Sequence, residues 1–83
     1  MSILQESLNM LYKSIELRSD GSIDSSVELV DDVIELLTIY NSELNYGNNI
    51  TADEISSIIT NLQSDLIDDS VFELEIIINL IGE

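Results

Sequence analysis

"VELVDDVIELLTIY", residues 27–40, carries apolar side chains at 27, 30, 34 and 37, with others at 29, 33, 36 and 40 beside them. Steps of three and four residues bring successive side chains onto one face of a helix, whereas a half-buried strand needs strict alternation. Val27, Val30, Ile34 and Leu37 therefore form one stripe, and Leu29, Val33, Leu36 and Tyr40 widen it. The chain is rich in isoleucine and valine, residues that suit strands, but no segment keeps a period of two for long. The stretch reads as a helix.

The same spacing recurs on both sides of it. Leu4, Leu8, Leu11 and Ile15 make an earlier stripe, and Ile55, Ile58, Ile59, Leu62 and Leu66 a later one. Proline is absent, and two of the three glycines sit in the polar clusters "RSDGSIDS" (18–25) and "NYGNN" (45–49), which read as turns. Four capping boxes mark helix starts: Ser2–Gln5, Ser25–Glu28, Thr51–Glu54 and Ser70–Glu73. In each, the hydroxyl accepts from a first-turn amide and the Gln or Glu reaches back to the amide of the cap. Ile50 and Ile55 add a hydrophobic staple around Thr51. The predicted fold class is all-α: a small antiparallel four-helix bundle, one domain over 1–83, with helices near 2–18, 25–44, 51–64 and 70–81.

The ending "DDSVFELEIIINLIGE", residues 68–83, breaks the amphipathic pattern. Val71, Leu74, Ile77, Ile78 and Ile81 supply a full core face, yet Phe72, Ile76 and Leu80 point elsewhere. A helix apolar all round is either central in its bundle or part of an interface. Two readings follow: a central helix packed by the other three, or a homodimer seam or partner groove built on Phe72, Ile76 and Leu80.

Charge narrows the function. Seventeen carboxylates against two basic side chains give a formal charge of −15 over 83 residues. Such a surface repels nucleic-acid phosphates and anionic lipid headgroups, and only Lys13 and Arg18 could touch a phosphate. No direct nucleic-acid or membrane contact is expected. An apolar content of 45% separates the chain from disordered polyanions. With no cysteine and no histidine there is no staple, no thiol nucleophile, no imidazole base and no ordinary zinc site. The longest apolar run is three residues and the N-terminus lacks a basic-then-apolar leader pattern, so a cytoplasmic protein without a membrane span is expected.

Glu28, Asp31, Asp32 and Glu35 fall at i, i+3, i+4 and i+7, one face of the second helix. Like charges so spaced cost the helix a few tenths of a kcal/mol per pair, and the ridge reads as a solvated face or as a contact for a basic partner. Asp65, Asp68 and Asp69 form a second acidic group, the last of them suited to the dipole of the following helix. Glu28-x-x-Asp31 and Asp32-x-x-Glu35 resemble the magnesium-binding carboxylate pairs of helical nucleotide pyrophosphatases, but the cations those enzymes hold against substrate phosphates are missing. No catalytic, cofactor or metal residue is assigned, and enzyme activity is not expected.

Two further stretches resemble known motifs. "DLIDDSVFELEII", Asp65 to Ile77, resembles the Asp-Ser-Leu prosthetic-group motif of acyl carrier proteins. Asp69 and Ser70 match its Asp and modified Ser, Val71 stands for Leu, and Glu75 falls on a family glutamate. The resemblance implies an acidic adaptor modified on Ser70, although the same serine is suited to an N-cap. "GNNITADEISSIITNL", Gly47 to Leu62, resembles the exit half of a calmodulin-type EF-hand, with Ile50 as its loop hydrophobe and Glu54 as its last ligand. Glu43, Asn45 and Gly47 would hold the earlier loop positions, and Asn48 replaces the turn glycine that a calcium loop needs.

The expected function is non-enzymatic: an acidic protein that docks on and blocks a basic protein surface. An immunity or inhibitor protein against a nuclease toxin, or against another nucleic-acid-binding enzyme, has this size and charge. Contact residues would be Glu28, Asp31, Asp32, Glu35, Asp65, Asp68 and Asp69, with Tyr40 and Tyr46 as aromatic anchors and Tyr12 as a further aromatic candidate. The uncharged residues Ser56, Ser57, Thr60, Asn61, Gln63 and Ser64 of the third helix read as a permissive surface or a weak packing face. The alternatives are the acyl-carrier-like adaptor and a homo-oligomeric structural module joined through Phe72, Ile76 and Leu80.

Overall fold

The computed structural model describes residues 2–43 and 50–81. It contains α1 (Ile3–Ser19), α2 (Ile23–Glu43), α3 (Ile50–Gln63) and α4 (Ile67–Ile81). Among the described residues, α1 packs on α2 and α4, and α3 on α2 and α4, with no contact across either diagonal. Each helix is thus one corner of a square bundle. Tyr12 pairs with Glu75, and Arg18, later in α1, with Asp65 just before α4, so α1 and α4 run in opposite directions. The expected antiparallel four-helix bundle is what forms.

Leu4, Leu8, Leu11, Val30, Val33, Leu37, Ile55, Ile58, Leu62, Ile67, Val71, Leu74, Ile77 and Ile78 make one buried cluster. Every helix contributes its stripe to this cluster, which is why the periodic positions could be read in advance. Three positions depart from the predicted stripes. Val27, Leu66 and Ile81 are substantially exposed. On α2 the inner line passes through Ser26 instead of Val27, because Ser26 meets Ser14 of α1 at 2.6 Å between hydroxyls. Ser7, Ser14 and Ser26 are all fully buried, and side chains this small let α1 and α2 approach closely.

Helix starts differ more. Ser2 caps α1 as expected, its Oγ accepting from the Gln5 amide at 3.1 Å, while the Gln5 side chain turns to Asn9 instead of back to the cap. Helix α2 begins at Ile23 and α4 at Ile67, so Ser25 and Ser70 lie inside their helices and neither is an N-cap. The reason is the turn before each. After α1, the Ser22 amide donates to the Leu17 carbonyl and Gly21 to Arg18, with Gly21 at φ +87°. After α3, Leu66 donates to Asn61 and Asp65 to Leu62, with Asp65 at φ 65°. Both are Schellman closures around a left-handed residue. The residue that completes each closure, Ser22 or Leu66, then accepts from the amide four ahead and opens the next helix at once. Caps at Ser25 and Ser70 would need longer connections. The cap and staple around Thr51 involve the Ile50 and Thr51 side chains, which lie outside the described residues.

The two hairpins correspond residue for residue. Ile23-Asp24-Ser25-Ser26-Val27 follows one turn and Ile67-Asp68-Asp69-Ser70-Val71 the other. Ser26 and Ser70 are both fully buried. The likeness stops at the serine, since Ile23 and Val27 are exposed where Ile67 and Val71 are buried. The reading of α4 as a central helix is overturned by its packing: among the described residues it has two neighbouring helices, and one face looks outward.

Candidate functional site

Glu28, Asp31, Asp32 and Glu35 are all exposed on the outer side of α2, as their spacing requires. Among the described residues, the ion pairs are Lys13 with Glu16 at 4.0 Å and Arg18 with Asp65 at 2.7 Å. No carboxylate of the ridge is in either pair. No helix among the described residues is long and apolar enough to cross a membrane. No three acidic side chains among them converge as a metal site would need.

Asp65, Asp68 and Asp69 do not act as one group. The Asp65 carboxylate takes both terminal nitrogens of Arg18, at 2.9 and 2.7 Å, a bidentate pair. The guanidinium, by hydrogen bond and by charge, holds the Asp65 carboxyl below the usual carboxylate range. Asp68 and Asp69 stand in the first turn of α4, where the helix dipole favours them. Asp65 and Asp68 line a shallow cleft with Ile15, Arg18, Ser19 and Ile67. Asp31 lines a neighbouring cleft with Arg18 and Asp65 between α2 and α3. Part of the ridge and part of the second acidic group thus meet around Arg18.

Arg18 also organises the interior. Its Nε donates to Ser26 Oγ at 2.8 Å, and Ser26 Oγ is paired with Ser14 Oγ. One cation so ties the two turns at this end of the bundle to the α1–α2 seam. Sequence spacing could not announce this network, since Asp65 lies 47 residues from Arg18 and shares no motif with the serines.

Among the tyrosines, Tyr40 is half-buried against the core and offers little free surface. Tyr12 is 44% exposed and its hydroxyl donates to Glu75. That bond holds the Tyr12 hydroxyl above its ordinary pKa, because ionisation would set a phenolate against a carboxylate. Tyr46 lies outside the described residues, as do Asn45 to Asn49 of the EF-hand-like stretch. Ser70 is fully buried and its hydroxyl donates to the Leu66 carbonyl at 2.8 Å. A prosthetic group could not be carried on that oxygen without opening the head of α4.

Phe72, Ile76 and Leu80 are 66%, 42% and 72% exposed, one stripe along the outer face of α4. Beside Ile76, a groove of about 250 Å³ runs between α3 and α4, lined by Glu54, Ser57, Glu73, Ile76 and Ile77. Ser56, Ser57, Thr60, Gln63 and Ser64 are exposed, whereas Asn61 is half-buried and donates to Glu73 at 3.1 Å. Helices α2 and α4 sit on a diagonal, so the acidic ridge and the apolar stripe lie on different corners of the bundle. No protein-family model, curated protein or solved structure matches the chain.

Proposed function

We propose that this chain is a non-enzymatic acidic binding protein that docks on a basic protein surface and blocks it. The observation that carries this reading is the charge: −15 overall, with no carboxylate of the α2 ridge in an ion pair among the described residues. Fixed carboxylates on a rigid helix attract a cationic surface at long range and can raise encounter rates by ~10- to 1,000-fold at low salt. Cationic surfaces that are cleft-shaped and worth blocking belong to proteins that hold nucleic acid. A nuclease toxin, or another nucleic-acid-binding enzyme, is the partner class this favours, with the complex forming in the cytoplasm, where a chain without cysteine is at no disadvantage. The acyl-carrier alternative loses support from the burial of Ser70.

The test is capture on the immobilised chain at low ionic strength, elution by a salt step, and mass identification. A basic nucleic-acid-binding protein should elute, and its activity should fall when the chain is added back. Replacing Glu28, Asp31, Asp32 and Glu35 by their amides should slow association by about tenfold at low salt and hardly at all at high salt. Capture indifferent to ionic strength, or turnover by the purified chain, would sink this reading.

A further inference from the structure

Resting on the basic partner inferred above, we propose that its docking face is the outer side of α4 and that it presents there a cationic amphipathic helix. The stripe of Phe72, Ile76 and Leu80 is not needed to fold this corner of the bundle. At the corresponding positions of α2 stand Glu28, Asp32 and Leu36, so two of the three places need no apolar side chain for that helix to pack. With Phe72 and Leu80 mostly in water, their apolar area contributes little to the core.

The geometry fits one kind of occupant. Positions i, i+4 and i+8 span about 12 Å along the helix axis, the length over which a partner helix sets anchors at i, i+3 or i+4, and i+7. The groove beside Ile76 would take one of those anchors, with Ile76 and Ile77 as its apolar wall. Carboxylates flank the stripe on both sides. Glu54 and Glu73 stand on the α3 side, Asp68 and Glu75 on the α1 side. An apolar seam between two acidic rails complements a helix with an apolar seam between two basic ones.

A second copy of this chain is a poor occupant. It would set −15 against −15 and bring Glu73 and Glu75 towards their own kind. The acidic ridge on the opposite corner then steers approach without touching the partner helix.

Titration of the labelled full-length chain by NMR tests the assignment. The probe is a peptide of about 18 residues with leucines at helical spacing and lysines on both flanks, and the control is a scrambled peptide of identical composition. The ordered peptide should bind at low salt and move the amides of Ser57, Phe72, Ile76 and Leu80. Changing Phe72, Ile76 and Leu80 together to serine should weaken it at least about tenfold, and Leu80→Ser alone, at the most exposed position, gives a variant with no folding risk. Amide replacement of the α2 ridge should slow its association at low salt and leave its dissociation rate unchanged. Equal affinity for the scrambled peptide, or shifts confined to α2, removes the α4 site while leaving the basic-partner reading standing. Failure of both peptides to bind at low salt removes both. Concentration-dependent dimers by light scattering, abolished by the triple serine variant, would make a second copy the occupant and overturn the assignment.

Discussion

Asp65 serves two purposes at one position. Its backbone takes the left-handed conformation that closes α3, a geometry in which Asp is tolerated better than most side chains. Its carboxylate engages Arg18, whose Nε reaches the buried serine pair. Because Arg18 lowers the Asp65 pKa, the stability this contributes is fully present above the ordinary carboxyl range near about pH 4. It is lost as pH falls through the lowered value. Tyr12 works at the other limit. Its pKa is raised by Glu75, so its contribution is present below about pH 10 and lost as pH rises through the raised value. Urea midpoints measured against pH should be flat from pH 6 to 8. Asp65→Asn should flatten only the acid limb, and Tyr12→Phe only the alkaline one. A steep slope between pH 6 and 8 would contradict both assignments.

At the scale of the element, α4 turns adjacent isoleucines to opposite duties. Ile77 is 2% exposed in the core, while Ile76 is 42% exposed on the outer stripe. Ile77→Ala should cost about 2–5 kcal/mol, since it removes both burial and packing. Ile76→Ala should cost below about 1 kcal/mol. Chemical denaturation of the two variants side by side checks the orientation of α4, and similar losses would mean that the helix is turned on its axis. The serines show the same division of labour. Ser26 and Ser70 are of a type that caps helices but are interior residues, each four places after the residue, Ser22 or Leu66, whose carbonyl opens its helix.

At the scale of the molecule, self-repulsion among the carboxylates opposes compaction. Screening it should raise the melting temperature, by about 5 °C between low and physiological salt, while slowing association with a basic partner. Calorimetry and surface kinetics over one salt series would read both, and a melting temperature that falls with salt would remove the premise. Placing α2 and α4 on a diagonal separates the two surfaces that distinguish this protein. The acidic ridge lies on one corner of the bundle and the exposed apolar stripe on another.

How much of this could be read from the chain differs by kind of interaction. Stripes such as Leu4–Leu8–Leu11 and Ile55–Ile58–Leu62 are local patterns with a helical period, so the sequence alone determined four helices, their inner faces and the exposed acidic ridge. Net charge is additive and needs no fold at all. Left to the tertiary structure were the early starts of α2 and α4, the Arg18–Ser26–Ser14 network, the burial of Ser70, and the corner position that leaves Phe72, Ile76 and Leu80 outward. The helix starts follow from the local geometry of the turn before each, and the rest from which residues of different helices become neighbours. Helical periodicity says which side of a helix is apolar, but only the packing of the other three decides how many sides are covered.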